Sequence, residues 1–214
     1  MARSTTEPEP AAASVGDRPR GAVAPSTMPN PLREGLRLER IAEPCTMIIC
    51  GATGDLTERK LGPALYNTLL GGFLPPEFTV VGFARRDLTD EQFRQHLLEG
   101  INRFSRNKPA KPAIWESMAS SIEYHRGDFD DPAAYVELGK RLDRIDRDRG
   151  TAGNRLFYLA VPPSLYPEIV NQLDRAGLAA SGARRESGSK RGWTRVIVEK
   201  PFGYDLDSAQ ALNR

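Results

Sequence analysis

Two cysteines and two histidines are all that this chain of 214 residues offers as soft metal ligands and neutral-pH proton carriers. Cys45 and Cys50 stand five apart, with no Cys-x-x-Cys pair and no Cys/His metal spacing around them. Neither a zinc site nor a disulfide framework is expected, and a reduced, cytoplasmic compartment is the simpler reading. No run of 18 apolar residues occurs, so nothing is expected to span a membrane. The N-terminus has no apolar core of the kind a secretory signal needs. An excess of one charge is also missing. The 30 Lys and Arg against 28 Asp and Glu leave a net charge of +2, which gives no electrostatic reason to bind nucleic acid or an anionic membrane.

What is there divides in two. Residues 1–43 carry Pro, Ala, Ser, Glu and Arg with few large apolar side chains, and seven of the 17 prolines fall in residues 1–44. Such a segment buries too little surface to offset its ordering entropy and reads as a disordered tail. Leu32, Leu36 and Ile41 allow one short helix near its end. Residues 44–214 read as the folded part.

That part is organised by Gly51-Ala52-Thr53-Gly54-Asp55-Leu56, which follows the apolar strand Met47–Cys50. After the turn, Leu61, Leu65 and Leu69 repeat at helical spacing, Pro63 suits a first turn, and Gly71-Gly72 makes a stop. Phe78–Ala84 is the second strand. Thr89 and Gln92 have capping-box spacing, ahead of a stripe of Phe93, Leu97, Ile101 and Phe104. Residues 105–113 are basic, contain Pro109 and Pro112, and read as a loop. Ile122–Phe129 is the third strand. Asp131-Pro132 opens a helix with the stripe Tyr135, Leu138, Leu142 and Ile145. Asn154–Val161 is the fourth strand, followed by a helix that Ser164 can cap, with Ile169, Val170 and Leu173 inward and Gly177 at its end. Residues 181–192 read as a solvated loop. Arg195–Glu199 is the fifth strand, and Asp205 or Asp207 can start a last helix.

Five strands alternating with helices predict an α/β fold, a doubly wound parallel sheet of the Rossmann-like dinucleotide-binding kind with helices on both faces. Its ligands gather at the C-terminal ends of the strands. Those ends are Gly51–Gly54, Ala84–Arg86, Val161–Pro163 and Glu199–Gly203.

The glycine turn has one glycine fewer than the usual dinucleotide fingerprint, so it is read by its context as a phosphate-binding turn, against the alternative of a purely structural turn. Thr53 can add a hydroxyl. Asp55 suits the positive end of the helix dipole as a cap. Lys60 either reaches a phosphate or is solvated. The second strand ends in Arg85-Arg86, where an acidic residue would bond both ribose hydroxyls of NAD. Arg85 instead attracts a 2′-phosphate, which favours NADP over NAD, unless the pair is a plain surface feature. His96 lies in a helix and His125 in the third strand, neither at a strand C-terminus, so neither is expected to be a catalytic base.

Together these stretches, with Arg59-Lys60-Leu61, Gly82–Arg86 and the run Val196-Ile197-Val198-Glu199-Lys200-Pro201-Phe202-Gly203, resemble glucose-6-phosphate dehydrogenase, in its N-terminal coenzyme-binding part, across roughly residues 44–214. The resemblance implies oxidation of glucose 6-phosphate to 6-phosphogluconolactone with reduction of NADP, the first step of the oxidative pentose phosphate pathway. It implies Gly51, Thr53, Gly54, Asp55 and Leu56 as the coenzyme turn, and Arg85, assisted by Arg86, at the 2′-phosphate. It places Ala160, Pro162 and Tyr166 near the nicotinamide. Lys200 would touch both substrate and coenzyme, ahead of a cis bond to Pro201. It also implies a general-base histidine and a homo-oligomer interface in an α+β domain that these 214 residues do not contain. The expectation is therefore NADP binding without turnover by this chain alone. Two other classes remain: another Rossmann reductase, which would normally carry a Tyr-x-x-x-Lys pair that this sequence lacks, and a non-catalytic NADP-binding module.

Overall fold

The computed structural model describes residues 41–179 and 192–200. The N-terminal tail up to residue 40, most of the 181–192 loop, the bond to Pro201 and the last helix lie outside the described residues. Ile41 is described, and it is exposed and not helical.

The strands are β1 (Thr46–Cys50), β2 (Thr79–Ala84), β3 (Ile122–Arg126), β4 (Arg155–Leu159) and β5 (Thr194–Val198). All neighbours pair in parallel, in the order β3-β2-β1-β4-β5. The order reverses at β1, so a crevice opens above the C-terminal ends of β1 and β4. The register aligns those ends: Cys50 pairs with Phe83 and with Leu159, and Leu159 with Val198. The expected fold class is the observed one. β2, β3 and β4 are shorter than expected, β3 ending at Arg126, not Phe129, while β1 starts one residue earlier, at Thr46, and β5 is shifted back by one residue.

β1 is buried along its whole length because helices cover both faces of the sheet. Its side chains alternate. Met47 and Ile49 face α1 (Gly62–Leu70) and α2 (Asp90–Phe104), in one core with Phe93, Leu97 and Ile101. Ile48 and Cys50 face α4 (Pro132–Arg149) and α5 (Tyr166–Arg175), in a second core with Tyr135, Leu138 and Leu142. Phe83 meets Phe129 and Tyr135 edge-to-face at 5.1 and 5.3 Å between ring centres, the arrangement that the ring quadrupoles favour.

The Thr89/Gln92 capping box is closed in both directions, and Asp131 caps α4 through the Ala133 N–H with Pro132 in its first turn. Three local expectations are corrected. Pro112 and Ala113 are not loop: they open α3 (Pro112–Ala119), which sets Met118 into the first core. Ser164 does not cap α5 but sits in a 3₁₀ turn, Pro163–Leu165. Val170 faces solvent, and Tyr166, Ile169, Gln172 and Leu173 are the buried set of α5.

Candidate functional site

The chain leaves β1 through Gly51, whose φ of +89° is the left-handed region that favours glycine. Its N–H donates to the Phe83 carbonyl at 2.8 Å, and the Ala52 N–H reaches the same oxygen at 3.3 Å. The Gly51 carbonyl accepts from the Gly54 N–H at 2.9 Å and from the hydroxyl of buried Thr57 at 3.4 Å. A Cβ on Gly51 would stand 2.4 Å from the Ala160 carbonyl oxygen. A Cβ on Gly54 would stand 3.1 Å from the Gly51 oxygen, and Gly54 does not need a positive φ. The turn is thus fastened to β2 on one side and β4 on the other.

Helical conformation begins at Asp55, passes through a π-helical segment, Thr57–Leu61, and continues as α1. The N–H groups of its first turn have no partner within the helix, and the dipole makes that end positive. The π-helical segment is where α2 comes closest: a Cβ on Gly100 would lie 2.5 Å from the Glu58 carbonyl oxygen. Asp55 is not a cap. It is exposed and pairs with Arg59 at 3.6 Å, one turn on. Thr53 is half-buried at the turn, and Leu56 is half-buried against the first core.

At the end of β2, Arg85 and Arg86 are exposed. The nearby Asp87 lies 3.9 Å from Arg126, at the end of β3. The hydroxyl of Tyr124 donates to the Arg86 carbonyl at 2.7 Å. At the end of β4, the Ala160 N–H continues the ladder to the Cys50 carbonyl at 2.8 Å, and Pro162 is exposed. Tyr166 is only 3% exposed and packs into the second core, so little of it faces the crevice. At the end of β5, Lys200 is exposed and the preceding Glu199 accepts a hydrogen bond from the Tyr158 hydroxyl. Burial and that carboxylate push Tyr158 up to about 12. The Cys50 thiol, beneath the turn, is likewise pushed up to about 12 by burial and carries no thiolate near neutral pH.

With strands about 5 Å apart, the register sets Arg85 beside the glycine turn and Lys200 two strands away on its other side. The expected residues therefore gather along one edge, with Tyr166 below it. Lys60 does not join them. It lines a separate cleft of about 520 Å³ with Arg59, Phe73, Phe104 and Arg106, an open basic surface away from the strand ends. His125 is nearer a strand end than expected, one residue before β3 finishes, yet its Nε2 is 2.8 Å from the Ala134 carbonyl on α4. His96 is half-buried on α2. Tyr124, Thr57 and Tyr158 support the edge and were not expected. The links of Tyr124 and Tyr158 run between neighbouring strands, so no local pattern in the sequence marks them, whereas Thr57 reaches back six residues to the Gly51 carbonyl.

The family model described as "Glucose-6-phosphate dehydrogenase, NAD binding domain" matches residues 48–214. A glucose-6-phosphate 1-dehydrogenase 2 of Mycobacterium tuberculosis is 43% identical over 187 residues, which cover 86% of this chain and 35% of that protein. A glucose-6-phosphate 1-dehydrogenase of Chlamydia muridarum is 45% identical over 171 residues, 80% of this chain and 33% of that protein. Among solved structures, a glucose-6-phosphate dehydrogenase in complex with glucose-6-phosphate superposes with a TM-score of 0.67 at 34% identity, covering 81% of this chain and 34% of the other. The Mycobacterium avium enzyme gives 0.64 at 32% identity, covering 79% and 32%. The chain thus spans about a third of the length of the relatives it matches.

Proposed function

The chain belongs to the glucose-6-phosphate dehydrogenase family through its coenzyme-binding domain, and from that premise we propose that residues 44–214 hold NADP for the oxidation of glucose 6-phosphate to 6-phosphogluconolactone. The observation that carries the reading is the pairing of a tight glycine turn at a helix start with an arginine pair one strand away. In this reading Gly51, Thr53, Gly54, Asp55 and Leu56 form the pyrophosphate cradle. The small residue at Gly54 lets the backbone approach the phosphates, and the positive helix end stabilises them. Arg85 grips the 2′-phosphate through its planar fork, and Arg86 adds charge. Ala160, Pro162 and Tyr166 border the nicotinamide end, and Lys200 lies between coenzyme and sugar phosphate. NADP supplies the hydride acceptor. The chain's part is to bind and orient it.

Removing the hydroxyl proton needs a base. His125 is engaged with Ala134 and His96 lies on α2, so neither takes that role. The reading places the protein in the cytoplasm, working as a homo-oligomer. No described helix is long and apolar enough to cross a membrane. The test is a titration of the 214-residue chain with NADP and NAD. NADP should bind at least tenfold more tightly, and Arg85→Ala should remove most of the difference, since a charge-assisted bond contributes about 1.5–3 kcal/mol. Equal affinities in the unsubstituted chain would overturn the reading.

A further inference from the structure

We propose that Tyr124 is a positioning residue that sets the coenzyme preference by fixing the backbone on which Arg85 stands. The proposal rests on the coenzyme reading above and adds a residue to it. Tyr124 lies in β3, next to β2 in the sheet. Its ring is 3% exposed and packs on Phe93 of α2, with ring centres 5.2 Å apart. Its hydroxyl reaches the end of β2, 2.7 Å from the Arg86 carbonyl and 3.2 Å from the Ala84 carbonyl. Those two carbonyls bracket Arg85. A phenol has one proton to give. The Ala84 oxygen already accepts the Gly127 N–H at 3.0 Å, so the shorter bond to Arg86 is the one that holds the bend.

The other end of Tyr124 is fixed as well. Its N–H donates to Asp90 Oδ1 at 2.7 Å, and Asp90 opens the helix that the Thr89 box caps. Ring, hydroxyl and backbone are therefore held from α2, β3 and the end of β2 together. The Arg85 side chain, in contrast, is exposed, and ordering a flexible side chain on a ligand costs binding energy. A fixed backbone lowers that cost, but only for a ligand that uses the side chain. Asp87, a carboxylate close to the same bend, lies 3.9 Å from Arg126, which offsets its charge where a phosphate would arrive. The hydroxyl of Tyr124 thus matters for a 2′-phosphate and not for a bare ribose.

The experiment compares 2′,5′-ADP with 5′-AMP as probes, by calorimetry, on the full chain and on Tyr124→Phe, Arg85→Ala and the double variant. Tyr124→Phe keeps the ring and removes one hydrogen bond, so 2′,5′-ADP should weaken by about three- to tenfold while 5′-AMP stays within twofold. In the Arg85→Ala background the same change should have no further effect, because its path runs through Arg85. Equal weakening of both probes would mark Tyr124 as merely structural and overturn the proposal. So would an unchanged ratio in Tyr124→Phe while Arg85→Ala loses the preference, a result that leaves the coenzyme reading intact. A starting chain with no preference for 2′,5′-ADP would bring down both.

Discussion

The carbonyl oxygen of Ala160 stands 2.4 Å from the point where a Cβ on Gly51 would project. The next residue, Val161, closes the same space, with Cγ1 at 2.8 Å. The neighbour in the way is backbone, tied to Cys50 by the Ala160 N–H at 2.8 Å, so it cannot rotate aside. Gly51→Ala therefore combines a left-handed φ with a backbone clash, and about 3 kcal/mol or more of stability should be lost. Urea unfolding of the purified variant checks this.

Gly54 sits three residues on and answers to a different constraint. Its Cβ would meet only the Gly51 oxygen, at 3.1 Å, with no unusual φ. Gly54→Ala should change stability by about 1 kcal/mol or less, yet weaken NADP roughly tenfold or more by filling the space above the helix start. Unfolding and binding measured on the same preparation separate the two glycines. A Gly54→Ala chain that binds NADP as before would show that no phosphate comes close there.

Gly100 is a third glycine with a backbone neighbour. A Cβ there would lie 2.5 Å from the Glu58 carbonyl oxygen and 3.1 Å from its Cγ. In an exposed helix, Gly→Ala gains about 1 kcal/mol. Here the overpacking term of about 1–3 kcal/mol works against that gain, and a net loss of up to about 2 kcal/mol is expected from thermal unfolding. The push falls on the π-helical segment, whose Thr57 bonds the Gly51 carbonyl at 3.4 Å, so NADP affinity should fall too. A more stable Gly100→Ala chain would contradict the close packing.

The elements that could be read from the sequence are those whose cause is local. The glycine turn, the Thr89/Gln92 box and Pro132 at a helix start each act within four residues. The stripe of Tyr135, Leu138, Leu142 and Ile145 repeats at the helical period, and all four side chains are fully buried. What escaped depends on distant partners. Pro112 opens α3 in the way Pro132 opens α4, but the prolines at 109 and 112 in basic surroundings argued for a loop. Tyr66 is fully buried, and its hydroxyl accepts the Lys111 N–H at 2.8 Å, 45 residues away. Val170 follows apolar Ile169 in sequence yet lies on the outer side of α5. At the candidate site, the position of Arg85 was legible because it directly follows an apolar strand. Tyr124 was not, because its hydroxyl meets that strand only once the sheet has formed.

The outer edge of β3 carries its own protection. Arg94 donates from Nε and a terminal nitrogen to the Ile122 carbonyl, at 3.0 and 2.8 Å, and Asp90 accepts the Tyr124 N–H. These side chains take the place of a neighbouring strand, which an open edge would otherwise recruit from another molecule. Asp90→Ala leaves a half-buried N–H without its acceptor and should cost about 1–3 kcal/mol. Asp90→Asn keeps an acceptor and should recover most of that loss. The double variant Asp90→Ala, Arg94→Ala should also aggregate at concentrations where the starting chain is monodisperse by light scattering. Equal stability of the Ala and Asn variants at position 90 would show that the carboxylate acts only through Arg141, 3.8 Å away.

His125 gives the fold a pH dependence of definite sign. Burial beside Phe83, with ring centres 5.3 Å apart, pulls its pKa below 6.5; the hydrogen bond to Ala134 opposes this, Arg141 adds to it and Glu137 opposes it. The unfolded chain therefore binds a proton more readily than the folded one below pH 6.5. The stability that neutral His125 contributes is complete above that pH and is lost as pH falls through the lower folded value. His125→Gln removes the titrating group and can retain a donor toward the Ala134 carbonyl. Urea unfolding from pH 7.5 down to 5 should show the starting chain losing stability faster than the variant, with the two curves running parallel above neutrality. A variant that loses stability as steeply as the starting chain below pH 6.5 would assign the slope to other groups.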